Sequence, residues 1–533
     1  MDYFDSPTFA ARVEHLMKQR HVPGFAIAIT RGNEVKSAGY GHASLDPPIP
    51  FTTDTLVDIA SCSKSFTAVA VGLLVDDKNY PQVKFDAVVS RLLPEDFVLP
   101  DETYTNQVTV DDILSHRTGM PRHDLSYVGP RAEHPDTPRS VTRNLRNLPL
   151  VAPLRTKYIY NNMMFTAAVH LIQVTTQQSF SDFLQDRFFR PLGMDSTSLQ
   201  PFRARERGFG ERIAMGYTWK KDTETYNAFT NPDAPEADGA GCIVSSVDDF
   251  IKWVQALMNH QDPITDSVYR GLVRMRTIIH PNGGWNRPYA SPIVYAAGVE
   301  VYYYRGYQVV MHGGSNPGFQ SRFFFLPELN FGAAMFGNSN GAYDVAAILS
   351  RELIDEALGI PQDERKYKRE KQPKKGKEPS KGNSPLDIGD PANRIQDIAD
   401  ADASDSDSDT EDEGDDPPEP RLKDLERQPL TTPQTAYTGT YENRGYHNMT
   451  VEIKNDKLFI DTSTRSFGFT VTFEHISGQT KFAAHVSFCL EPGDWQMEAE
   501  FAFEGARVVR MGLNLESDMK ELVWFDRVSE RSN

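Results

Sequence analysis

The chain is 533 residues long, more than one hydrophobic core organises, so two domains with a linker are expected. A net charge of −18 argues against general nucleic-acid binding, and nowhere does the chain offer the roughly eighteen continuous apolar residues of a membrane span. Cys62, Cys242 and Cys489 have no metal-ligand spacing, and the first twenty residues lack the basic start and apolar run of a secretion signal, so a cytoplasmic protein with reduced thiols is expected, with no metal and no cofactor.

Residues 22–42 read as two strands around a turn at Arg31-Gly32-Asn33. Ser61-Cys62-Ser63-Lys64 then heads the apolar run from Ser65 to Leu74, which predicts a helix. Helical patterning continues to about residue 260, over 110–115, 140–148, 163–177, 180–189 and 247–259. The character then changes to strands at 293–304, 308–311, 321–326 and 332–336, closed by a helix at 345–358. Strands at both ends with helices between predict an α/β (α+β) domain over residues 1–360, its antiparallel sheet assembled from both ends and flanked by helices.

Residues 361–432 are charged, basic at 366–381 and acidic at 402–416, with too little apolar surface to offset chain entropy, and are expected to form a disordered tether. Ser404, Ser406, Ser408 and Thr410 there precede acidic residues and resemble sites for an acidophilic kinase. From 433 to 533, seven or eight short alternating runs at near-regular spacing predict a small antiparallel barrel or sandwich.

Three motifs carry chemistry. Ser61 and Lys64 are three residues apart, so a helix sets both side chains on one face. A serine hydroxyl needs a base to take its proton, and a lysine amine is that base once burial and cationic neighbours bring its pKa from about 10.4 towards roughly 7–8. On the order of one or two such S-x-x-K spacings arise by chance in a chain this long. Ser517-Asp518-Met519-Lys520 is a second match, in an alternating segment with no apolar helix after it, and reads as surface. The second motif is Tyr160-Asn161-Asn162, a phenol and an amide directly before the helical run at 163. The third, Val309-Val310-Met311-His312-Gly313-Gly314-Ser315, reads as a strand ending in glycines.

Taken in this order and spacing, Ser61-x-x-Lys64, Tyr160-x-Asn162 and His312-Gly313-Gly314 resemble the serine β-lactamase and penicillin-binding-protein superfamily. The resemblance is to its class C β-lactamase-like branch, with the family S12 peptidases, esterases and some acyltransferases. Leu114-Ser115-His116-Arg117-Thr118-Gly119-Met120-Pro121 and Gly241 to Phe250 support it, and it spans roughly residues 5–358. The C-terminal segment is similar to the lipocalin-like domain of some S12 relatives, which packs near the catalytic cleft or a neighbouring subunit; a homo-oligomer through that domain is one implication.

What the resemblance implies is a serine hydrolase acting on a small-molecule ester, amide or D-peptide. Ser61 would be the nucleophile, Lys64 its base and Tyr160 the partner acid/base, with Asn162 orienting the substrate. His312 would stabilise charge near Tyr160 or bind substrate, Gly313 and Gly314 would let a substrate backbone lie along the strand, and the N–H groups of Ser61 and Ser315 would form the oxyanion hole. The pattern departs from the β-lactamases where their lysine is His312 and their hydroxyl residue is Gly313, so a permanent cation is lost and weak or absent β-lactamase activity is expected. The alternatives are an acyltransferase of a biosynthetic pathway and a non-catalytic scaffold. His116 and His123 lack a third ligand at fitting spacing, and no histidine follows Cys62 at useful local spacing.

Overall fold

The computed structural model describes residues 1–281, 288–365, 427–491 and 493–528. The expected tether and its four kinase-like sites lie outside them, apart from a few flanking residues.

Helix α1 (Pro7–Gln19) starts where the Ser6 hydroxyl accepts from Phe9 N–H at 3.2 Å, with proline in its first turn. Strand β1 (Gly24–Arg31) is buried along seven of its eight residues because both of its faces are covered. Ala26 and Ala28 join one core with Phe250, Trp253 and Val254 of α4 (Val247–Asn259). Phe25, Ile27 and Ile29 join a second core with Phe9, Val13 and Leu16 of α1 and Leu349 and Leu353 of α5 (Ala342–Ala357). The small alanines admit the bulky Phe250 and Trp253 on their side of the sheet.

Nine antiparallel strands make this sheet. β1 lies between β2 (Glu34–Leu45) and β5 (Phe331–Gly337), so the two ends of the domain meet at its centre, Phe25 opposite Gly337. Beyond β2 lies the short edge strand Pro48–Pro50, and beyond β5 come β4 (Phe319–Leu326), β3 (Tyr307–Asn316) and the short strands Glu300–Tyr304, Val294–Tyr295 and Thr277–Ile278. β3 runs on through the glycines to Asn316, past the end expected from sequence, because residues 312–316 pair with 319–323 of β4. Its other edge is paired only as far as Met311.

Two helices carry the apolar runs, α2 (Lys64–Asp76) and α3 (Met163–Thr176). Phe66 of α2 stacks on Trp253 with ring centroids 3.9 Å apart, and full burial of such a ring contributes about 1.5–3 kcal/mol. The mostly helical stretch also contains strands that patterning misses: Gly216–Lys220 with Thr225–Phe229, and Ile243–Ser245 between Val57–Asp58 and Ser198–Leu199. The three strands of the second group are two or three residues long with partners distant in sequence, so they leave no local period.

From Gly439 to Arg527 eight strands follow one another as sequence neighbours and close into a barrel where Tyr441 pairs with Arg527. Its interior is filled, with Tyr437, Phe473, Phe482 and Phe501 meeting at centroid distances of 5.1–6.2 Å. The barrel docks on the first domain through His123, whose N–H donates to Glu516 Oε2 at 2.7 Å and whose ring lies between Tyr446 Oη (2.7 Å) and the Pro149 carbonyl (2.9 Å). Asn144 Nδ2 donates to the Gly445 carbonyl at 2.9 Å and Arg465 to that of Leu125 at 2.7 Å. Among the described residues no helix is long and apolar enough to cross a membrane.

Candidate active site

The chain enters the site through a strained turn. Ala60 has φ +45°, a left-handed conformation that costs a non-glycine residue about 1–2 kcal/mol. Its N–H donates to the buried Asp58 carboxylate at 2.7 Å, and Asn231 and Asn316 donate to the other oxygen at 3.2 and 2.8 Å. One 3₁₀ turn, Ala60–Ser63, then leads into α2. Residues three apart eclipse in such a turn, which stacks Ser61 and Lys64 on one side.

Lys64 is fully buried. Its Nζ lies 2.7 Å from the Ala240 carbonyl, 2.8 Å from Asn162 Oδ1 and 3.0 Å from Ser61 Oγ. Burial, and next the positive charge of Arg122, hold its pKa well below that of an ordinary lysine, against the opposing pull of Asp124. A neutral amine has two hydrogens and one lone pair. The two pure acceptors claim the hydrogens, which leaves the lone pair for the Ser61 hydroxyl. From the other side Tyr160 Oη donates to Ser61 Oγ at 2.8 Å. This arrangement can deprotonate Ser61 and return a proton beside it.

Asn161 and Asn162 fix the phenol and the amide from one turn. Asn161 Oδ1 accepts from Met164 N–H at 2.9 Å, starting α3, while Asn162 Nδ2 donates to both oxygens of Asp124 at 3.1 Å. Arg122 Nε donates to Asp124 at 3.0 Å, and its guanidinium carbon lies 5.0 Å from the centroid of the Tyr160 ring. His116 packs against that ring at 4.1 Å and accepts from Asn161 N–H through Nδ1 at 3.0 Å.

The third motif divides. Ser315 lines the cavity above Ser61. His312 is fully buried, its Nε2 at 2.9 Å from Tyr295 Oη and its Nδ1 against the Gly313 carbonyl, and burial brings its pKa down to about 3. It is an uncharged ring in contact with Tyr295, which shares an apolar cluster with Tyr160 and Ile279. Gly314 answers to the protein itself: a Cβ there would lie 2.2 Å from the Ile59 carbonyl oxygen and 3.1 Å from Ser61 N, so glycine lets β3 abut the nucleophile turn. Cys62 points away, 3.1 Å from Ser321 Oγ, and burial pushes its thiol up to about 12.

The cavity over Ser61 measures about 110 Å³. Its floor includes Ser61 and Asn162, its walls Asp58, Arg122, Asn231 and residues 240–242, and its roof comes from the barrel, with Ser466, Phe467, Gly468, Phe488, Leu490 and Glu491. Sequence patterning passes over Arg122, Asp124, Asp58 and Tyr295. The charged group Arg122-His123-Asp124, directly after the loop 114–121, is the signal that could have directed attention to the first two.

Comparison with known proteins matches two separate regions of the chain. Residues 9–356 match the Beta-lactamase family and 425–527 a domain of unknown function, DUF3471. The unguisins hydrolase ungD of Aspergillus violaceofuscus is 32% identical over 98% of this chain and 90% of its own length. The unguisins hydrolase ungD' of Aspergillus campestris is 36% identical over 67% of this chain, which spans 66% of that relative. In three dimensions the octameric penicillin-binding protein homologue from Pyrococcus abyssi superimposes with a TM-score of 0.58 at 18% identity, over 98% of this chain and 100% of that one. The chain belongs to the Beta-lactamase family, with the fold of the penicillin-binding proteins and an eight-stranded barrel at its C-terminal end.

Proposed function

We propose that this protein is a serine hydrolase that forms an acyl-enzyme on Ser61 and cleaves an amide, ester or D-peptide bond. The observation that carries the reading is a fully buried Lys64, its pKa held well below that of an ordinary lysine, at 3.0 Å from Ser61 Oγ, with Tyr160 Oη at 2.8 Å on the other side. The hydrolase names of the fungal relatives favour hydrolysis over acyl transfer.

As Ser61 Oγ bonds to the carbonyl carbon, its proton passes to Lys64 Nζ. The carbonyl oxygen takes up the negative charge, held by the backbone N–H groups of Ser61 and Ser315. Collapse re-forms the carbonyl and breaks the bond to the leaving group, which takes the proton of Tyr160 Oη; the Lys64 ammonium restores that proton. Water then attacks the ester by the reverse assignment, and Ser61 regains its hydrogen. Ser315 and Asn316, at the end of β3 and beyond the last described pairing on that edge, line the cavity and suit an extended acyl chain, and Phe467, Phe488 and Leu490 favour an apolar one.

Incubation with a fluorophosphonate, followed by intact-mass measurement, tests the reading. One adduct on Ser61, absent from Ser61→Ala, is the expected result. No adduct between about pH 6 and 10 would leave a scaffold of the same fold. Parallel assays of p-nitrophenyl esters, D-amino-acid p-nitroanilides and nitrocefin then rank the substrate classes, with nitrocefin expected last.

A further inference from the structure

His312 brings no positive charge to the cavity, and burial disfavours one on Lys64. Yet the proposed reaction puts negative charge first on the carbonyl oxygen and then on Tyr160. Among the described residues lining the cavity, Arg122 is the one permanent cation. It lies over the Tyr160 ring at 5.0 Å, a geometry in which a cation is attracted to the ring face. Its partner Asp124 holds Asn162 through both carboxylate oxygens, and Asn162 Oδ1 receives Lys64. Arg122 therefore meets the catalytic group twice, through the Tyr160 ring and through a hydrogen-bonded chain to Lys64.

We propose that Arg122 is a positioning residue that supplies the site's fixed positive charge, disfavouring a second cation on Lys64 and stabilising negative charge on Tyr160. The proposal rests on the acyl-enzyme reading above. The other titratable groups around Lys64 are Tyr160, Cys62 and Cys242, with His116 and His312 beyond. Burial keeps both thiols protonated and both imidazoles neutral. Arg122 and Asp124 remain as the opposed charges.

The test is the rate of fluorophosphonate labelling of the full-length chain as a function of pH. In the unaltered protein the rate rises with pH as the Lys64 amine forms. Arg122→Met should move that rise to higher pH by about one unit, a tenfold loss of rate on its acid side, whereas Arg122→Lys should leave its position unchanged. Asp124→Asn should move it to lower pH, an opposite displacement that a loosened fold would not produce. If Arg122→Met does not fold, the Asp124→Asn displacement decides alone. Labelled variants whose rise stays at the same pH would overturn this inference and leave the acyl-enzyme standing. An unaltered protein that never labels would remove both.

Discussion

Ser61–Lys64 and Ser517–Lys520 are the same motif in two environments. The first heads a buried helix, its lysine fully enclosed and its serine 8% exposed. The second lies in the stretch between the last two barrel strands, with both its serine and its lysine exposed. An exposed ammonium is stabilised by water and remains a cation, so it has no lone pair for its neighbour. Enclosure removes that solvation and favours the neutral amine, as the proposed base-and-nucleophile pair requires. What distinguishes them is the set of chains packed around the first pair: the Ala240 carbonyl, Asn162, Tyr160 and Arg122.

The contrast can be broken most directly at the hydroxyl. Ser61→Ala should abolish turnover, a loss of about 10⁴-fold or more in kcat, while Ser517→Ala leaves both kcat and KM unchanged. Lys64→Ala should cost about 10³-fold and Lys520→Ala nothing measurable. Steady-state kinetics on one p-nitrophenyl ester read all four variants. Gly314→Ala should lower kcat by about 10²-fold, because the added methyl displaces β3 from the Ser61 turn. A Gly314→Ala enzyme with normal kcat would show that the close approach is incidental.

Smaller effects sharpen the role of enclosure. His312→Ala should reduce kcat about tenfold with little change in KM, since the ring supports Tyr295 behind Tyr160; a change confined to KM would return it to the substrate. The docked barrel should also make stability depend on pH. Burial pushes Glu236, which accepts from Ser466 of the barrel, and Glu516, which accepts from His123, each up to about 7. Between the unfolded value of about 4.3 and this folded value the native state binds more protons than the unfolded chain. Stability is then greatest below about pH 4.3 as far as these two groups are concerned, and falls as pH rises to 7. Thermal unfolding should lose about 2–4 °C from pH 5.5 to 8 beyond what Glu516→Gln loses, and equal losses would exclude the glutamate as the cause.

Much of this was readable in order along the chain. The apolar run after Lys64 is α2, the period at Phe250, Trp253, Val254 and Leu257 is the buried face of α4, and the alternation after residue 433 is the eight-stranded barrel. These succeed because a helix or hairpin writes its period locally. Ile243–Ser245 does not, since its partners are at 57–58 and 198–199.

By itself, the sequence determined which residues could do chemistry and which segments would be helix, sheet and barrel, because side-chain type and period are local properties. Only the tertiary structure decided their condition. It enclosed Lys64 and lowered its pKa, buried His312 against Tyr295, set Arg122 over the Tyr160 ring and roofed Ser61 with the barrel. Charge state and access depend on what surrounds a group on every side, and those surroundings come from segments hundreds of residues apart.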